Sequence, residues 1–139
     1  MASIHYIIYM SAATGFMKDD DLLTLLNECQ EKNSINDISG ILLYKDGSFM
    51  QYIEGEQKNI KALYNKICWD KRHRHVIKIQ EGNSRERIFE GWTMGFYNMD
   101  KTESLPTFDE FIYDTVDFND LKKKPSVAYR LLMSFRQTA

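Results

Sequence analysis

Apolar residues change their spacing several times along this chain, and each change marks an element. Ile4 to Ser11 is a short aromatic and β-branched run that ends in small residues and Gly15, which together mark a first strand. From Asp19 the period becomes helical. Leu22, Leu25, Leu26 and Cys29 fall on one stripe behind Asp19, Asp20 and Asp21, where the positive end of a helix dipole favours negative charge. This predicts a helix ending near Asn33. Asp37 to Lys45 and Ser48 to Glu54 flank Asp46-Gly47, a dipeptide suited to the positive φ values of a two-residue hairpin turn. Gly55 and Glu56 then lead into a second helix that carries Ile60, Leu63 and Ile67 on one face and stops around Asp70. Val76 to Glu81 and Trp92 to Tyr97 read as two further strands, joined by the polar stretch from Gly82 to Glu90.

Strand, helix, strand, strand, helix, strand and one extra strand is the order of a ferredoxin-like α+β fold: a sheet of five strands with two helices on one face. The strands do not alternate cleanly between apolar and polar. Ile7, Ile8, Ile41, Leu42, Leu43, Met50, Tyr52 and Ile53 supply both faces, so the second face needs a cover as well. Phe108, Phe111 and Ile112, then Val127, Leu131, Leu132 and Phe135, fall at helical spacings, with Pro125 as a break or a helix start. The expected division is therefore 1–98 for the sheet domain and 99–139 for one or two C-terminal helices packed on its opposite face. Self-association through that tail is the alternative.

Composition narrows the partners. A chain of 139 residues has room for one domain and one core. The formal net charge of -2 argues against nucleic acid, whose binding normally leaves a basic stripe. Cys29 and Cys68 have no CxxC spacing and no leader precedes them, so both are expected as reduced thiols in a cytoplasmic protein. No apolar run approaches the roughly 18–20 residues of a membrane span, so no membrane partner is expected.

Polar residues at inward positions carry the candidate chemistry. Gln51 lies in the run GILLYKDGSFMQYIEG and shares a face with Phe49 and Ile53. With a two-residue turn it stands opposite Leu42 and near Gly40, whose missing side chain leaves room for a neighbour. An unpaired buried amide costs roughly 1–3 kcal/mol, so a partner is required. A flat ligand fits that description; a backbone group or a water does too. Asn33 extends the first helix's stripe by one turn, though asparagine also ends helices through its tolerance of the left-handed conformation. Tyr9 is on the first strand, where tyrosine is an ordinary strand former. Lys66, Asp70, Lys71, Arg72, His73, Arg74 and His75 form a charged cluster at the second helix's end, able to hold an anion or simply to face solvent. His73 and His75 lack a third ligand for a metal. No nucleotide-loop, zinc-protease or nucleophile-elbow motif occurs, and no catalytic triad can be assembled.

From about Ile4 to Tyr97 the chain resembles a BLUF domain, a sensor of blue light using FAD. The resemblance rests on IIYMS around Tyr9, KNSINDISGILLY around Asn33, DGSFMQYIEGE around Gln51, DKRHRH after the second helix, and FEGWTMGF around Trp92 and Met94. It implies a non-enzymatic photoreceptor with FAD between the two helices and the sheet, FMN or riboflavin being the other candidate flavins. Tyr9, Asn33 and Gln51 match the positions around the flavin ring, and Lys66, Asp70, Arg72 and His73 match the region near its ribityl and phosphate end. Lys66 stands where many members carry arginine, which keeps the charge and weakens bidentate phosphate contact. Lys32 stands where a second amide is common. Trp92 and Met94 match the segment that supplies a residue beside Gln51.

In such domains the excited flavin takes an electron from the tyrosine, a proton moves through the glutamine, and the pair recombines with the glutamine rotated or tautomerised. The resemblance further implies a stand-alone protein with no fused effector, signalling through the fifth strand and tail to a downstream protein partner or to its own oligomer. Two other readings stand beside it. A small ferredoxin-like enzyme of the oxygenase or acylphosphatase type would bind substrate at the inward polar residues, and a light-independent interaction module would bind no cofactor.

Overall fold

Seven elements follow one another in the order that the hydrophobic pattern predicts: β1 (Ile4–Ala13), α1 (Asp19–Ile35), β2 (Ser39–Lys45), β3 (Ser48–Gly55), α2 (Gln57–Cys68), β4 (His73–Ser84) and β5 (Gly95–Asn98). The computed structural model describes residues 3–15, 17–91 and 93–98, so the expected C-terminal helices of 99–139 lie outside the described residues. The strands form one mixed sheet in the order β4-β1-β3-β2-β5, antiparallel except where β5 runs parallel to β2. This is the ferredoxin-like arrangement with an added edge strand.

Local chemistry explains the first elements. The backbone N–H of Lys18 donates to the Asp21 carboxylate at 3.0 Å, so one of the three aspartates closes the start of α1. Asp46 (φ 49) and Gly47 (φ 76) both take left-handed values, and the turn they form sets Lys45 against Ser48 and Leu42 against Gln51. On the same side of the sheet, Leu22 and Leu26 of α1 and Ile60 of α2 meet Ile7, Leu42 and Ile53 in one buried cluster. Burying each such side chain contributes about 1.5–3 kcal/mol. The helices therefore cover one face and leave a gap between them.

The first three strands differ from the expected bounds by one or two residues at one end, and the last two by more. β4 runs from His73 to Ser84, twice the length of the expected Val76–Glu81, and most of its residues are exposed or half-buried. Apolar spacing could not mark it, because its length is set by backbone pairing along the whole of β1. Register shifts between Ile8 and Tyr9 and between Met10 and Ala12 interrupt that pairing, and His75 takes φ 56 near the second of them. β5 begins at Gly95 rather than at Trp92, after Gly91 (φ 86) turns the chain. Trp92 lies outside the described residues, whereas Met94 belongs to the approach to β5 and is fully buried.

The second sheet face is buried too. Ile8, Ile41, Leu43 and Met50 have almost no exposure, and Tyr52 lies between Tyr6, stacked at 5.6 Å, and Phe89, edge-on at 5.2 Å. None of the helices formed by the described residues is long and apolar enough to cross a membrane.

Candidate functional site

The register of the two central strands brings the first pair of polar residues together. Tyr9 on β1 stands directly opposite Gln51 on β3, and both side chains point to the helix-covered face. The Tyr9 hydroxyl donates to Gln51 Oε1. Burial raises the Tyr9 phenol well above its ordinary range, with Cys29 and Asp70 adding to the effect, so the hydroxyl keeps the proton it donates. The amide's other end is then fixed as a donor: Gln51 Nε2 reaches Met94 Sδ at 3.3 Å. Of the two residues expected as neighbours of Gln51, Met94 takes the place among the described residues.

Asn33 is buried near the end of α1, and its Nδ2 donates to the carbonyl of Thr93 at 2.7 Å. One turn earlier Gln30 donates to the carbonyl of Met94 at 3.1 Å. These two amides tie the helix to the segment that enters β5. Asn33 is thus an interior residue of α1 that reaches across to the sheet, not its terminator. Gln30 escaped the sequence reading, although two amides one turn apart at the edge of an apolar stripe were the available signal.

Between α1, α2 and the sheet lies a cleft enclosing about 790 Å³ of free space, including solvent at its mouth. Its walls are apolar, from Leu25, Leu42, Phe49, Leu63 and Ile67, with the amides of Gln51 and Asn33 and the Tyr9 phenol on its inner lining. The mouth is charged. Lys32, Lys66 and Arg72 line it there together with Glu28 and Asp70. All seven residues singled out in sequence as cofactor contacts (Tyr9, Asn33, Gln51, Lys66, Asp70, Arg72 and His73) line this one cleft. Cys29 lines it too, its thiol pushed up to about 11 by burial.

Arg72 and His73 are already engaged by the protein. The Arg72 guanidinium spans the helices, meeting Glu28 at 2.6 Å and Asp70 at 2.6 Å, and it holds the Asp70 carboxyl below the usual carboxylate range. His73 places Nε2 against the carbonyl of Ile67 at 2.5 Å and Nδ1 against Ser11 Oγ at 2.9 Å. A carbonyl can only accept, so Nε2 carries a proton. Neither ring nitrogen is left for a phosphate; the ring instead stands edge-on to Tyr9 at 6.3 Å. Lys66 is exposed and lines the same cleft. Because the Arg72 pairs are partly exposed, Arg72→Gln should lower the stability of the ligand-free protein by less than about 1 kcal/mol in urea unfolding. A larger loss would mean that this clasp, and not the sheet contacts, holds the helices in place.

The arrangement suits a flat, conjugated molecule with a polar edge and an anionic tail. Apolar walls would take its faces, the amides its polar edge, and the cations at the mouth its tail. A flavin nucleotide has that distribution of chemistry, so the residues present fit the cofactor.

Comparison with known proteins agrees with the geometry. The family described as BLUF, sensors of blue-light using FAD, matches residues 4–95. Photoactivated adenylate cyclase subunit beta of Euglena longa is 29% identical over 107 residues, covering 76% of this chain and 12% of that protein. The blue light- and temperature-regulated antirepressor BluF of Escherichia coli (strain K12) is 30% identical over 67 residues, or 45% of this chain and 17% of its own length. Among solved structures, Klebsiella pneumoniae BlrP1, in a manganese/cy-diGMP complex at pH 9.0, aligns at 27% identity with a TM-score of 0.77. That alignment covers 97% of this chain and 33% of the other. BlsA in its photo-activated state aligns at 27% identity with a TM-score of 0.66, covering 86% and 89%. The chain thus spans only about an eighth of the Euglena cyclase subunit it matches (12%).

Proposed function

The chain belongs to the BLUF family of flavin-binding blue-light sensors, and from that premise we propose that Tyr9, Gln51 and Met94 form its light-driven hydrogen-bond switch. The observation that carries this reading is a single buried amide held between a phenol donor and a thioether acceptor inside a cleft of flavin chemistry. Bound flavin supplies absorption of blue light and, once excited, the power to oxidise a neighbouring phenol. The chain supplies everything that turns this into a lasting change.

Tyr9 is a suitable donor because losing an electron makes its hydroxyl acidic, and Gln51 Oε1 is in place to receive that proton. An amide has an acceptor end and a donor end that can be exchanged by rotation or tautomerisation. Gln51 is poised for this because its donor end rests on sulfur, a weak acceptor, so little is lost when it leaves Met94. Asn33 and Gln30 donate to the carbonyls of Thr93 and Met94, so movement of a released Met94 side chain acts directly on the bonds that tie this segment to α1. Lys66 at the cleft mouth is the residue we assign to the anionic tail, with FAD as the family's flavin. His73 and the Arg72–Asp70 pair shape the wall around that tail.

Beyond the flavin, we assign the output to the segment from Thr93 through β5, toward a downstream protein or a second copy of the chain. The two free cysteines, Cys29 and Cys68, suit a reducing cytoplasm. The test is the visible spectrum of the purified protein. A yellow protein whose flavin band moves to the red after blue light and returns in darkness supports the proposal. A flavin-loaded protein whose spectrum is unchanged by light sinks it.

A further inference from the structure

Glu54 carries a carboxylate that the switch does not use. It is fully buried, three residues along β3 from Gln51 and so on the opposite sheet face. Buried carboxylates persist where donors surround them. Four do so here: the backbone N–H of Ile88 to Oε1 at 2.8 Å, that of Phe89 to Oε2 at 2.7 Å, the Ser39 hydroxyl at 2.8 Å and the Tyr52 hydroxyl at 3.2 Å. Arg87 braces the group from outside, donating to Ser39 Oγ at 2.9 Å and to the Asp37 carbonyl at 2.8 Å. Burial raises the carboxyl above its ordinary range, and the donors oppose that rise.

The consequence lies at the other end of the same segment. Ile88 and Phe89 are clamped to β3 through Glu54, and five residues later Met94 meets β3 again through Gln51. One strand therefore holds one stretch of chain at two points, with side chains from opposite faces. The two grips are unequal. Carboxylate oxygens on backbone N–H groups make strong, charge-assisted bonds, whereas an amide on a thioether makes a weak one.

We propose that Glu54 is a positioning residue for the Gln51 switch: it is the fixed end of the 87–94 segment and confines any displacement that follows amide rearrangement to Thr93, Met94 and β5. The inference rests on the switch proposed above. When Gln51 leaves Met94, the chain yields at the weak grip and not at the strong one.

Amide hydrogen exchange of the flavin-loaded full chain, in darkness and after blue light, tests this with Glu54→Gln. That variant keeps the size but turns one oxygen into an NH2 group facing a backbone N–H. Dark exchange at Ile88 and Phe89 should rise about ten- to hundredfold. In the unaltered protein light should change exchange over 93–98 and leave Ile88 and Phe89 protected; in the variant the change should extend through 88–98. Light reaching Ile88 and Phe89 in the unaltered protein, or staying within 93–98 in the variant, overturns the proposal.

If Glu54→Gln does not fold, Ser39→Ala removes one donor and leaves the carboxylate. It should widen the light-responsive stretch in the same direction, and an unaltered pattern overturns the role. A missing absorption shift in the unaltered protein is the failure of the switch itself. The dark measurement then decides alone: raised exchange at Thr93 and Met94 in the variant supports the positioning role, and unchanged protection there overturns it.

Discussion

Gln51→Leu should leave a folded, flavin-loaded protein whose absorption no longer moves to the red under blue light. Leucine has nearly the volume of glutamine, and Gln51 lies on β3 facing Leu42 of β2, so an apolar side chain is accommodated there without an amide to desolvate. The fold loses the bonds from Tyr9 and to Met94, and the Tyr9 hydroxyl is left without its acceptor at a cost of about 1–3 kcal/mol. What disappears entirely is a group with an exchangeable donor and acceptor. Tyr9→Phe removes the switch from the other side, taking away the proton-bearing donor while keeping the ring. Difference spectra recorded before and after illumination read both variants. A full red shift with normal dark recovery in Gln51→Leu would refute the assignment of the amide as the moving part.

Gly40→Ala should destabilise the sheet beneath that amide by about 3 kcal/mol or more. A Cβ at Gly40 would lie 2.0 Å from the carbonyl oxygen of Tyr52, 3.0 Å from its carbonyl carbon and 3.2 Å from the Cα of Ile53. These are backbone atoms of the paired strand, so no rotamer change can move them aside. β2 and β3 must separate or slip, and because β3 is also held by β1, a slip of β2 by one residue would turn Leu42 away from the face it shares with Gln51. Urea midpoints measure the loss. Gly15→Ala is the matched control, because a Cβ there meets nothing within 4 Å. A Gly40→Ala protein within 1 kcal/mol of the original would show that the strands can open at this point without losing their register.

Much of this was legible in the chain. Both helices, the hairpin and the inward face of Gln51 follow from short-range periods and from a turn dipeptide whose φ values are local properties. Gly40 reads in sequence as leaving room for a neighbour, and the backbone of Tyr52 and Ile53 comes into that room. The residues around the cleft were legible through family resemblance, since tyrosine on a strand and asparagine near a helix end are individually ordinary. Less visible were residues whose meaning depends on a distant partner. His73 looked like part of a basic surface cluster, yet its nitrogens are taken by Ser11 and Ile67. Glu54 looked like the polar end of a strand, but four donors from three parts of the chain converge on it.

The amino-acid sequence by itself determined the element order, the two covered faces of the sheet and the need for a partner to Gln51, because periods of 2 and 3.6 and positive-φ turns are encoded over a few residues. Only the tertiary structure decided which partner meets which atom. Setting Tyr9 opposite Gln51 depends on the register between strands some forty residues apart in sequence, bringing Met94 to the amide depends on two anchors from α1, and the full length of β4 depends on pairing with β1. Those choices are made by long-range pairing and packing, which leave no period in the chain to be read.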